Sequence, residues 1–332
     1  MSKDFILRQA ILHILDRNAG VPVLSDRLLD LEEAGDYISA HISRAYQDED
    51  VKIISIPENP CDMFTEVQKM KETPDCFVDL SKRFANAFFN AISSWDIPPC
   101  DLLVSEFQDG SDRFLAVLKL NYKSSYIHFV NQSEDIANTI VCQPVSLPSA
   151  SQKIDEFLIF DFAMDKVYLK EKKYSIDGQN QRYISSQILR IPEERSPKEK
   201  LNIVKKAMKT VTEKYYPGDL KSEMDADKTI SNEFNVTRSM HVDTLADSVS
   251  KGVPAIRQEF YQELSRQGIE EEHIELPENL DRTVNKKRKI VTEDGIEIKL
   301  PLSMVNRPDK FEIINNPDGT LSLLIKNVEM TK

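Results

Sequence analysis

From Asp75 to about Ile92, the residues Phe77, Leu80, Phe84, Phe88 and Ala91 fall three or four positions apart, which sets one apolar stripe along a helix. Asp75 is placed to cap its start, and Pro98 and Pro99 stop it near Trp95. The same spacing of Ile38, Ile42 and Ala45 predicts an earlier helix over Tyr37 to Tyr46. The opening run, Phe5 to Leu15, is apolar and closes at the turn Asn18-Ala19-Gly20. Val21 to Leu24 then reads as a short strand whose Pro22, lacking a donor, belongs at an edge.

Beyond Pro99 the pattern turns to strands. Asp101 to Phe107, Phe114 to Leu120, Tyr126 to Val130 and Ile136 to Cys142 have strand character, with a turn at Asp109-Gly110. The connections are too short for crossover helices, so the sheet is expected to be antiparallel. Glu156 to Phe162 and Lys166 to Lys170 extend the series.

Between about Ser175 and Pro197 the chain becomes polar, which places a boundary between a domain over 1–192 and a second over 193–332. Ser196-Pro197 followed by Glu199 is a capping box with proline at the first helical position. Its helix carries Leu201, Val204, Met208, Val211 and Tyr215 on one face and ends at Pro217-Gly218. Val242, Leu245, Ala246 and Val249 mark a short helix; Pro254 opens another with Ile256, Phe260 and Leu264 inward and Gly268 as its C-terminal cap. Helices are expected to dominate up to Leu276.

Lys289 to Thr292 and Ile296 to Leu300 flank Asp294-Gly295, a strong hairpin signal. Phe311 to Asn315 and Leu321 to Ile325 flank Asn316-Pro317-Asp318-Gly319, which suits a type I turn. The two hairpins are expected to make one small terminal sheet. The fold class predicted is α+β: N-terminal helices on an antiparallel sheet, then C-terminal helices followed by two β-hairpins.

Composition narrows the function. The net charge of −12 repels polyphosphate at long range, so a nucleic-acid role needs a local basic patch. Cys61, Cys76, Cys100 and Cys142 are far apart with no CxxC spacing, which points to reduced thiols rather than a zinc or redox site. Arg8, Gln9 and His13 interrupt the apolar N-terminal run, unlike a secretory leader, and no run reaches the roughly 20 apolar residues of a membrane span.

Catalytic chemistry finds little support. His13, His41, His128, His241 and His273 are scattered, and no glycine-rich phosphate loop or GxSxG elbow occurs, so no catalytic, cofactor or metal site is expected. A carboxylate paired with Glu-x-Lys could hold Mg²⁺ in a nuclease. Asp281 with Glu297-Ile298-Lys299 and Asp161 with Glu171-Lys172-Lys173 both fit. In a chain 30% charged, such triplets arise easily.

The densest basic cluster is Arg282, Lys286, Lys287, Arg288 and Lys289, and phosphate binding draws on such local charge. A strand there would put Lys286 and Arg288 on one side and Lys287 and Lys289 on the other; the alternative is a lysine-protected edge or basic loop. A second candidate is the stripe Lys198, Lys205 and Lys209 on the helix begun at Ser196, whose long side chains could equally cover the margin of a buried face. No motif for base-specific readout is evident, so any contact is expected to be backbone-directed.

The run from Thr292 to Pro301, followed by Asp309 to Leu321, resembles the closing segment of the bacterial nucleoid-associated proteins of NdpA type. Phe114 to Lys123 is similar to that family's central strand, and Ile11 to Asp16 to its opening one. The resemblance covers nearly the whole chain. It implies a cytoplasmic, nucleoid-associated protein that binds DNA, or RNA, and it brings no active-site residues with it. A homodimer would double a weak basic patch. A protein-interaction module recruited by a partner is the competing reading, favoured by the acidic total charge.

Overall fold

A computed structural model of the chain describes residues 5–132, 136–305, 307–316 and 320–329. They form an α+β fold in two compact units that divide between Glu194 and Arg195.

The first unit contains β1 (Phe5–Leu15), α1 (Leu31–Tyr46), β2 (Lys52–Ser55), α2 (Asp62–Glu72), α3 (Phe77–Ser94), β3 (Cys100–Asp109), β4 (Asp112–Asn121), β5 (Lys123–Gln132), β6 (Ile136–Ser146), β7 (Phe157–Asp161), β8 (Lys166–Lys170), β9 (Tyr174–Ile176) and β10 (Gln179–Gln181). A π-helical segment, Ile184–Leu189, follows. Six strands form one sheet in the order β1-β3-β4-β7-β8-β2, with every neighbouring pair antiparallel.

Side chains alternate across a strand, so β4 serves two cores. Leu115 and Val117 join Phe64, Phe84 and Phe88 on the side covered by α2 and α3. Phe114, Ala116 and Leu118 join Ile38 and Ile42 of α1 on the other. A sheet covered on both faces explains why Phe114 to Leu120 reads as a continuous run rather than an alternating one. The one lysine in that run, Lys119, is fully buried and donates to Glu156 Oε2 at 2.8 Å, which also accepts from Tyr174 OH at 2.7 Å.

Several boundaries differ from expectation for identifiable reasons. Helix α1 starts six residues before Tyr37, because the Asp30 carboxylate accepts from Glu32 N at 2.8 Å and caps it there. Asp75 is no cap: Pro74–Cys76 is a 3₁₀ turn, and α3 begins at Phe77 without a side-chain cap. Val21 to Leu24 shrinks to a single bridge between Val23 and Ile14 beside Pro22. Strands β5 and β6 pair with each other over Lys123 to Ser146 but do not join the sheet.

The second unit contains α4 (Pro197–Tyr215), α5 (Leu220–Thr237), β11 (Ser239–His241), α6 (Val242–Ser250), α7 (Pro254–Arg266), β12 (His273–Glu275), α8 (Asp281–Val284), β13 (Arg288–Val291), β14 (Glu297–Leu300), β15 (Phe311–Asn315) and β16 (Leu321–Ile325). Leu201, Val204, Met208, Phe234, Leu245 and Phe260 fill its core. The capping box is present in both directions: Glu199 N donates to Ser196 Oγ at 3.1 Å, and Ser196 N to Glu199 Oε2 at 2.9 Å. After α7, Gly268 takes φ +72°, and the Arg195 guanidinium lies 3.2 Å from where a Cβ would stand.

Helix α5 was not predicted, because Ser222 and Ser231 occupy buried positions between Met224, Ile230 and Phe234 and blur its apolar stripe. The short ladder of β11 with β12 also interrupts the expected helical run. The two terminal hairpins form separate two-stranded ladders rather than one sheet. They share a small core of Leu300, Leu302, Val305 and Phe311 with Met224 of α5. The expected turn at 317–319 lies outside the described residues. No helix among the described residues is long and apolar enough to cross a membrane.

Candidate nucleic-acid interface

The two basic segments, about eighty residues apart in sequence, meet on one face of the second unit. Helix α4 buries Leu201, Val204 and Met208, which leaves Lys205 at the margin of its buried stripe and Lys209 exposed one turn on. Strand β13 lies beyond α5, and its alternating burial turns Arg288 and Ile290 inward and Lys289 and Val291 outward. A cavity of about 190 Å³ opens between these elements, lined by Lys205, Lys209 and Arg288 together with Glu223 and Asp227 of α5.

Electrostatics at this cavity are mixed. Burial lowers the Lys205 pKa from its ordinary value; Lys286 and Arg288 lower it further, while Asp227 opposes them. Arg288 is held by two carboxylates one helical turn apart, donating to Asp227 Oδ2 at 3.1 Å and to Glu223. Lys289 pairs with Glu297 on the neighbouring strand, and Lys209 sits 3.4 Å from Glu213. Such exposed pairs are weak and exchange readily for a stronger anion.

Lys286 and Lys287 precede the strand in coil, both exposed, and neither forms an ion pair with another described residue. Lys205, Lys209 and Arg288 thus converge on the cavity, and Lys286 is close enough to act on Lys205; Lys286, Lys287 and Lys289 do not line it. Arg282, exposed on α8, and Lys198, half-buried in the first turn of α4, do not line the cavity. Glu223 and Asp227 were missed by the sequence reading; their spacing of four, on a helix whose stripe is blurred, was the available signal.

The residues considered for metal chemistry have other duties. The Glu171 side chain is fully buried, accepting from Lys52 Nζ at 2.9 Å, Ser185 Oγ at 2.7 Å and Ser185 N at 2.9 Å. Asp161 accepts from Ala163 N and Met164 N and shapes the turn after β7. Asp281 accepts from Asn285, and Glu297 holds Lys289. Among the described residues no group of three His, Cys, Asp or Glu side chains is placed to hold a metal ion.

A family model described as nucleoid-associated protein YejK matches residues 11–331. No curated protein matches the chain.

Proposed function

The chain belongs to the nucleoid-associated protein YejK family, and from that membership we propose that it works in the bacterial cytoplasm on the nucleoid by holding nucleic acid, duplex DNA before RNA, through phosphate contacts. The observation that carries this reading is the convergence of Lys205, Lys209 and Arg288 on one cavity of an otherwise acidic chain, with Lys286 close enough to act on Lys205. Phosphate is the anion that such a cluster of flexible cations suits, because released counterions supply the affinity.

The contact is to the backbone rather than to bases. A recognition helix would need an exposed N-terminal turn bearing Arg, Asn or Gln, whereas α4 opens on Pro197, Lys198 and Glu199 and presents Lys205 and Lys209 from its middle. The role is one of binding, without catalysis or a resident cofactor. Two copies would present two such faces to one polyanion, raising retention without any new contact.

Charge reversal tests this reading. Lys209→Glu combined with Lys286→Glu and Lys287→Glu is expected to weaken binding of duplex DNA roughly tenfold or more at moderate salt, measured by fluorescence anisotropy. Unchanged affinity would move the role to a protein partner, a reading favoured by the carboxylates that already hold Arg288.

A further inference from the structure

Among the described residues the hairpin of β5 and β6 is a two-stranded sheet joined to no other. Both of its faces carry exposed apolar side chains. Register places Tyr126 opposite Cys142 and His128 opposite Ile140 on one face, and Ile127 opposite Val141 on the other. Tyr126 and Ile140 are each 75% exposed and Phe129 is 55% exposed.

Charge is nearly absent here. Between Ser124 and Gln152 the charged residues are Glu134 and Asp135, in a chain that is 30% charged. Edge strands that remain in water are ordinarily guarded along their length by lysine, proline or inward charge, whereas Lys123 and Pro144 stand at the base of this hairpin. An isolated hairpin is also marginal by itself.

We propose that a second copy of this chain covers this hairpin, forming a two-fold symmetric dimer. The inference rests on the dimer reading above and names its surface. Three considerations select a second copy. Exposed apolar area on the hairpin is on the order of 500 Å², taking ~200 Å² per aromatic and ~100 Å² per aliphatic side chain. A standard interface buries about 800 Å² per partner, a little over half of it apolar, so a second copy that clasps both faces of the hairpin buries what a stable pair requires.

Second, two chains of net charge −12 repel over most of their surfaces, and an uncharged strip is where they meet without that cost. Third, a polyanion needs cations, and Lys123 at the hairpin base is the one lysine or arginine between Lys123 and Gln152.

The test is mass in solution by sedimentation velocity across a wide concentration series. The wild-type protein is expected at twice the 38.1 kDa chain mass. Tyr126→Glu with Ile140→Glu is expected at the single-chain mass, with a dimer Kd raised roughly a hundredfold or more. The far-UV circular dichroism spectrum should be unchanged, since both side chains lie outside the core. Should the charged variant fail to fold, Tyr126→Ser with Ile140→Ser takes its place with the same expected mass. A wild-type protein that stays monomeric to hundreds of micromolar overturns the dimer and its surface together. A dimer that persists in the folded variants overturns the surface alone. Variants that keep the wild-type mass but lose DNA affinity overturn the proposal in favour of a nucleic-acid-binding arm.

Discussion

His13 shows how one side chain acquires a role from distant partners. It is fully buried on β1, where Nδ1 accepts from Ser25 N at 3.1 Å and Nε2 lies 2.9 Å from Ser81 Oγ. Ser81 Oγ spends its own proton on Val78 O at 2.6 Å, so Nε2 must carry the hydrogen and the ring is neutral. Burial, assisted by Lys82, lowers the pKa from 6.5 to about 4. The unfolded chain therefore binds the proton more tightly, and the stabilisation is complete above pH 6.5 and lost as pH falls towards 4. At most about 3 kcal/mol is at stake. Urea unfolding at pH 7 and pH 4.5 should show a large drop for the wild-type protein and a smaller one for His13→Gln; equal drops would refute the assignment. In the sequence His13 was one of five scattered histidines. Its partner Ser81 is 68 residues away, a proximity no local pattern encodes.

Elements were legible where a single interaction dominates them. The capping box at Ser196 and the stripe of α3 each express one local rule, and both the alternation at Asp294-Gly295 and its hairpin follow from turn chemistry. Helix α5 was illegible because its buried face accepts small hydroxyl residues, so periodicity failed there. That omission also hid the carboxylates facing Arg288, and with them the reason the basic cluster is partly neutralised. Neutralising those carboxylates inverts the usual logic of charge removal. Glu223→Gln with Asp227→Asn frees Arg288 and removes two negative charges from the cavity, so DNA affinity is expected to rise severalfold, at a stability cost of about 1 kcal/mol or less for half-exposed pairs. Anisotropy titration of the double variant measures it, and an affinity equal to or below wild type would show that the cavity does not face the phosphates.

At the scale of the whole molecule, two features oppose each other: a net charge of −12 and a face where distant lysines and an arginine gather. Composition reveals the first directly. The second depends on α4 and β13 meeting across α5, which sequence separation conceals. An acidic protein can hold a polyanion only by short-range contacts that displace condensed counterions, so the effect of salt on affinity reports the mechanism itself. The decisive measurement is therefore the equilibrium constant for duplex DNA over a series of salt concentrations. With Lys205, Lys209, Lys286 and Lys287 on phosphates, the slope of log K against log salt is expected near −3 to −4, at about −0.9 per contact. It should become shallower in the charge-reversed variant. A slope near zero, or no binding even at low salt, would contradict direct phosphate contact.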